Sequence, residues 1–175
     1  VSNSKKEEML FGTGSFFIEK TLDFLPGPFA RLALGYDYVP HDIGTGTANN
    51  TRLDQNGDDN NDLVENNVKA NFEDLNTFYL TANITDWLYV KAGEITVDVD
   101  TRFTKNGVVS TDYGSSHGLD GNVYGFGVQH NSDNGLFFRL EYNNYDIDGK
   151  SVTSTGSDST LTAELKDVSG DTGRI

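Results

Sequence analysis

The run from Gly135 to Tyr145, Gly-Leu-Phe-Phe-Arg-Leu-Glu-Tyr-Asn-Asn-Tyr, constrains this chain more than any other stretch. Leu136, Phe138, Leu140 and Tyr142 are large and apolar, whereas Arg139, Glu141 and Asn143 between them are polar. A strict period of two belongs to a strand, in which successive side chains point to opposite faces. One face must then meet an apolar environment while the other carries a cation, an anion and an amide. Two surroundings satisfy that demand. One is the interior of a soluble sandwich or barrel; the other is lipid around a membrane barrel whose charged residues face the lumen.

The same design recurs along the chain. Met9 to Leu22 places Phe16 and Ile18 on one side and Phe17 and Glu19 on the other, and Leu25-Pro26-Gly27-Pro28 ends it with a tight turn. Phe29 to Val39 sets Leu32, Leu34, Tyr36 and Tyr38 opposite Arg31 and Asp37. Val68 to Ile84 keeps Val68, Ala70, Phe72, Phe78 and Leu80 on one parity, with a bulge expected near Glu73 to Thr77. Beyond the Thr85-Asp86 turn, Trp87 to Asp100 has Leu88, Val90 and Ala92 on one parity and Ile95, Val97 and Val99 on the other, which suggests a slip at Gly93. Leu119 to His130 and a last strand beginning at Leu161 bring the visible strands to seven. Between them lie connections of alternating length, short at Pro26, at Asp86 and at 131–134, long at 40–66, 101–118 and 147–160. Tight turns at one end and extended loops at the other are the habit of up-and-down membrane barrels.

Composition narrows the classes further. No apolar run approaches the roughly 20 residues of a membrane helix, so a membrane-spanning form of this chain has to be a closed barrel. The absence of cysteine removes disulfide and thiolate-metal frameworks. A net charge of −14 argues against nucleic-acid phosphates as partners. The polar stretch Val1 to Glu8 is not a signal peptide.

Leu80-Thr81-Ala82-Asn83-Ile84-Thr85-Asp86-Trp87-Leu88-Tyr89-Val90-Lys91-Ala92-Gly93, Tyr124-Gly125-Phe126-Gly127-Val128 and Gly135 to Tyr142 together resemble small outer-membrane β-barrel proteins of Gram-negative bacteria, of the OmpA transmembrane, OmpW and opacity-protein type. The likeness covers most strands and none of the loops. It implies an all-β, antiparallel, up-and-down transmembrane barrel of eight strands in the bacterial outer membrane, with both termini periplasmic and a C-terminal aromatic. Against that pattern, one ascending strand is expected before Val1 and a short C-terminal piece after Ile175.

Within such a barrel Leu32, Leu34, Phe126, Leu136, Phe138 and Leu140 are expected to face lipid. Arg31, Asp37, Lys69, Glu73, Lys91, Glu94, Arg139 and Glu141 are expected to form a paired ion network in the lumen. Eight strands leave room for little besides side chains, so that network is read as a plug rather than a pore. Tyr36, Tyr38, Tyr142, Trp87 and Tyr89 are candidates for interfacial girdles. Asp54, Asn56, Asp58, Asn60, Asp62 and Glu65 place oxygen ligands at the spacing of an EF-hand calcium loop. Asp59 stands where that loop needs Gly and no helical pattern flanks it, so a solvated acidic loop is preferred over calcium, the one cofactor considered. Gly114-Ser115-Ser116-His117-Gly118 fits the letters of a nucleophile elbow without its strand-turn-helix context, and a meeting of His41 with His117 is the other catalytic idea; neither supports an enzyme. The expected role is structural or surface-interacting through the acidic loops, towards outer-membrane lipid and lipopolysaccharide and an extracellular, phage or cell-surface partner. A small passive channel and a soluble lipocalin-like barrel holding an apolar ligand are the alternatives.

Overall fold

A computed structural model describes residues 10, 12–44, 47–54, 62–105, 108–110, 116–132, 137–153 and 162–175. Among them the regular elements are β-strands and one 3-10 turn. In chain order the strands are β1 (Phe16–Thr21), β2 (Leu32–Val39), β3 (Ile43–Gly44), β4 (Ala48–Asp54), β5 (Asp62–Asn83), β6 (Leu88–Lys105), β7 (Val108–Ser110), β8 (Ser116–Asn131), β9 (Phe137–Ile147), β10 (Lys150–Thr153), β11 (Thr162–Leu165) and β12 (Val168–Arg174). The main sheet is antiparallel and runs β1-β2-β5-β6-β8-β9-β12, with β3 and β4 added to β5 and β7 to β6; β10 and β11 form a separate hairpin. β1 and β12 do not pair, so the sheet is not closed into a barrel.

Turn chemistry sets one end of the sheet. Gly27 takes a left-handed φ of 65°, which a Cβ would resist, and opens the 3-10 turn Gly27–Arg31 that leads into β2. Between β5 and β6, Thr85 Oγ1 accepts the Leu88 amide at 2.9 Å and the Ile84 amide reaches Leu88 O at 2.9 Å. At the opposite end the expected loops are partly strand. β4 pairs with the start of β5 from Ala48↔Val68 to Asp54↔Asp62, β6 continues to Lys105, and β8 begins at Ser116. These segments carry no apolar period in the sequence, which is why alternation did not reveal them. The last strand of the main sheet is likewise β12, because the stretch after Leu161 pairs with β10 instead.

Two details of register position everything inside. The bulge expected near 73–77 is present: pairing with β6 shifts between Glu73 and Asn76, and Asp74 adopts φ 49°. It reverses facing, so Ala70 and Phe72 pack inward with Leu75 while Phe78 and Leu80 stay outside. The slip expected at Gly93 is absent. β6 pairs with β8 without interruption from Leu88↔Val128 to Asp100↔Ser116, and Tyr89, Lys91, Ile95, Val97 and Val99 are all buried on one face. Gly93 serves a close approach instead: a Cβ there would run into Phe78 O and the Tyr79 backbone.

Candidate functional site

Seen along its strands, the sheet has two tiers whose inside and outside exchange chemistry. In the tier next to the short connections, most outward residues of β1, β2, β5, β6, β8 and β9 are apolar, with Lys20 and His130 as exceptions, while β12 presents Gly173 there. Phe16 and Ile18 on β1, Leu34 on β2, Phe78 and Leu80 on β5, Val90 on β6, Tyr124 and Phe126 on β8 and Phe138, Leu140 and Tyr142 on β9 are all exposed, Ile18 at 72% and Phe126 at 55%. Leu32 on β2 is half-buried on the same side. Cross-strand registers such as Leu34↔Leu80, Leu80↔Ala92 and Ala92↔Tyr124 join them into one belt. Ring pairs sit within it, Tyr36 against Phe78 at 4.8 Å and Phe126 against Tyr142 at 5.5 Å.

The inward face of the same tier, beside Ala33, Phe17 and Phe137, carries a hydrogen-bonded polar network. Glu141 accepts Tyr89 Oη at 2.6 Å, Lys91 Nζ at 2.9 Å and Asn143 Nδ2 at 2.8 Å. Lys91 and Glu141 side chains are each 2% exposed, and the ammonium also lies 4.2 Å from the Tyr79 ring centroid. Arg139 forms a two-pronged pair with Glu19, both contacts at 3.0 Å, donates to Gln129 at 2.9 Å and stacks 4.7 Å from the Tyr89 ring. Arg174 pairs with Asp37 and donates to Ser15. Three of the large inward groups are seated on glycines. A Cβ on Gly35 would strike the Tyr79 ring, one on Gly127 the Tyr89 hydroxyl, and one on Gly125 the Asn143 amide.

In the tier towards the long connections the order inverts. Val97, Val99, Leu119 and Ile147 form a buried apolar core with Ala70, Phe72, Leu75 and Val168 packed against it. Outside, the same strands present Glu94, Thr96, Asp98, Asp120, Asn122, Asn144 and Asp146, all exposed. Glu73 lies among these outer carboxylates, and loss of solvent contact together with Asp42, Asp100, Asp74 and Asp98 raises its pKa above the usual glutamate value.

Of the eight residues expected in the lumen network, the structure brings four together: Asp37, Lys91, Arg139 and Glu141. The other four stand elsewhere. Arg31 is exposed in the 3-10 turn, where it donates to Ile84 O at 3.0 Å. Lys69 lies past the bulge that turns its strand over, Glu73 shares the outer face with Asp98, and Glu94 is outside because β6 keeps its parity through Gly93. Sequence reasoning missed Glu19, Tyr79, Asn143 and Arg174 as members. Glu19 was legible by its parity opposite Phe16 and Ile18, whereas its pairing with Arg139, 120 residues away, was not.

Leu32, Leu34, Phe126, Phe138 and Leu140 lie on the outward face of the sheet, and Leu136 lies outside the described residues. Of the girdle candidates, Trp87 is exposed at the short-connection end. Tyr38 and Tyr142 direct their hydroxyls to Asp74 at 3.0 Å and Asp171 at 2.7 Å, and Tyr36 directs its own to Asn76. Tyr89 is the exception, fully buried on the inner face by its hydrogen bond to Glu141.

No family model, curated protein or solved structure matches this chain.

The two remaining motifs are placed rather than assembled. Asp54 and Asp62 stand opposite each other in the β4–β5 pair, Glu65 is exposed opposite Thr51, and Asn56, Asp58 and Asn60 lie outside the described residues. Strands, not helices, flank that segment. Among the described residues no group of three or more acidic or histidine side chains is arranged to hold a metal. Ser116 is the first residue of β8 and His117 pairs in register with Val99, so the motif around Ser116 enters a strand rather than the helix of a nucleophile elbow.

Proposed function

We propose that this sheet is the wall of a transmembrane β-barrel of the bacterial outer membrane, its belt in contact with lipid. Its role is then structural or surface-interacting, carried by the acidic connections beyond the upper tier. The observation that carries this reading is the coincidence of two features at one level, a largely apolar outer belt across β1, β2, β5, β6, β8 and β9 and a charged, paired inner face. A soluble lipocalin-like barrel would need the reverse arrangement there, and a soluble protein rarely leaves so continuous an apolar surface uncovered. The upper tier, apolar inside and acidic outside, suits a part of the barrel that stands clear of lipid and meets water. The partners this implies are outer-membrane lipid and lipopolysaccharide below, and an extracellular, phage or cell-surface partner at the loops.

The interior supports a plug over a passive channel. The Arg139–Glu19 and Lys91–Glu141 pairs fill the lower tier, and the Val97, Val99, Leu119 and Ile147 cluster stands above them. An ion entering from either end would meet a paired charge network and then a dry apolar plug, or the same two in reverse.

Site-directed spin labels test the orientation. In lipid vesicles a label at Phe138 should be relaxed by oxygen dissolved in the bilayer, and a label at Arg139 should not. Equal behaviour of the two labels, or a chain that is monomeric and folded without detergent, would remove the membrane reading.

A further inference from the structure

Two side-chain nitrogens of different chemistry converge on one carboxylate oxygen in the lower tier. Glu141 Oε1 accepts the Lys91 ammonium at 2.9 Å and the Asn143 amide at 2.8 Å, while the Tyr89 hydroxyl holds Oε2 at 2.6 Å. The three are closed off from solvent, Lys91 at 4%, Glu141 at 3% and Asn143 at 0% exposure. Register explains the meeting, because Lys91 on β6 and Asn143 on β9 both stand level with Gly125 on β8 between them. With no side chain on Gly125, the Lys91 stem crosses β8 from one side and the Asn143 amide leans over it from the other. Laid end to end, the two hydrogen bonds put the nitrogens no more than about 5.7 Å apart. Asn143 Oδ1, enclosed with them, has no hydrogen-bond partner among the described residues, a condition that buried amide oxygens seldom show.

We infer that Lys91 and Asn143 become joined by an isopeptide bond in the folded chain, with Glu141 as the proton carrier. The inference goes beyond the function proposed above and does not depend on it, since the site is the same whether lipid or protein covers the belt. The ion pair is the state before reaction. First the proton on Lys91 Nζ passes to Glu141 Oε1 along the existing hydrogen bond, and burial makes the neutral amine and acid that result accessible. A half-turn of the Asn143 amide brings the unpartnered Oδ1 to the carboxyl proton, which polarises the carbonyl. The Nζ lone pair then attacks Asn143 Cγ, forming the new C–N bond and moving the carbonyl π pair onto Oδ1. On collapse that pair returns, the Cγ–Nδ2 bond breaks, and Glu141 relays a proton from Nζ to Nδ2, so that ammonia leaves. The ammonia takes the remaining carboxyl proton and departs as ammonium, which restores the Glu141 carboxylate. Nothing is oxidised or reduced and no co-reactant is consumed. The fold contributes position, by holding amine and amide together, and dryness, by keeping water from competing for the carbonyl.

Such a bond leaves a mass signature. The 175-residue chain, folded in detergent micelles and then denatured for intact-mass spectrometry, should weigh about 17 Da less than its sequence, the ammonia lost. The same chain kept in urea throughout should retain the full mass. Because trypsin does not cut at an acylated lysine, digestion should release residues 70–102, uncut at Lys91, joined to residues 140–150. Lys91→Arg keeps the charge and removes the nucleophile, and Glu141→Gln keeps hydrogen bonding and removes the proton carrier; both should retain the full mass. A succinimide at an Asn-Gly step such as Asn134-Gly135 also costs one ammonia, so a loss that persists in Lys91→Arg or in urea would overturn the inference. So would a folded parent, its β5 and β6 amides protected from exchange, that retains its full mass or is cut at Lys91. The mass and the digest are both read on the parent chain, so they decide the matter even where a variant does not fold.

Discussion

Replacing Lys91 by Met tests the lower tier where it is driest. Lys91 and Glu141 are each 2% exposed, and Glu141 holds three donors, of which the ammonium is the charged one. Met keeps the length of the stem but leaves the carboxylate without its counter-charge. Breaking a buried pair from one side costs about 3 to 5 kcal/mol, and the lost stacking of the ammonium on Tyr79 belongs within that figure. Glu141→Leu alone should cost a similar amount, because it abandons the ammonium and also leaves the Tyr89 hydroxyl and the Asn143 amide without an acceptor. The double variant removes both charges together, so it should cost about as much as either single change rather than their sum. Trp87 is the only tryptophan and lies at the belt edge, so its fluorescence follows unfolding by urea in micelles. A Lys91→Met variant within about 0.5 kcal/mol of the parent, or strict additivity in the cycle, would refute a dry, paired interior.

Other substitutions separate the tiers and the seats. In lipid vesicles, Val90→Arg in the belt should cost about 2 to 4 kcal/mol if it lies near mid-depth, whereas Thr96→Arg, outward on the same strand beside Glu94 and Asp98, should stay within about 0.5 kcal/mol; equal costs would deny the change of surroundings along β6. Gly127→Ala should destabilise by about 1 to 3 kcal/mol through collision with Tyr89, and the added change Tyr89→Phe, which shortens that ring by its hydroxyl, should recover part of the loss. Glu73 has a raised pKa in the folded chain, so its contribution is most favourable below the ordinary glutamate value and is lost as pH rises through the ordinary and then the raised value. Glu73→Gln should therefore flatten the fall in stability with rising pH across that window; an unchanged pH profile would show that the outer carboxylates do not act on it.

Period two made β1, β2, β5, β6, β8 and β9, their succession and the apolar belt readable in the sequence, because large residues keep one parity over several strands in a row. Parity alone does not say which face is inside. Lys91, Ile95, Val97 and Val99 occupy one face of an unbroken strand, and what changes at Gly93 is the chemistry on both sides of the wall, not the register. Treating apolar as outward throughout therefore invented a slip and put Glu94 indoors. Phe72 and Ala70 are the converse case, where a real bulge turns residues inward that the count had grouped with Phe78. The β4–β5 pairing stayed hidden because its residues carry no apolar period to read. The ion pairs needed three dimensions, since Glu19 and Arg139 belong to opposite ends of the chain.

The belt is also short. Along β5 and Ile84 just beyond it the belt runs from Phe78 to Ile84, six residue steps of about 3.3 Å, or roughly 20 Å and about 15 Å once a tilt near 40° is allowed for. The apolar band of membrane barrels is about 25 Å tall. A bilayer meeting this wall has to draw its leaflets together around it, with Trp87 on one rim and Tyr36 and Tyr38 on the other lending what extra height their amphipathic rings supply. If the belt meets lipid as proposed, a thick membrane must deform more to fit it than a thin one, so hydrophobic mismatch alone would bias the chain towards thin, easily compressed bilayers, a sorting signal written in length rather than in sequence.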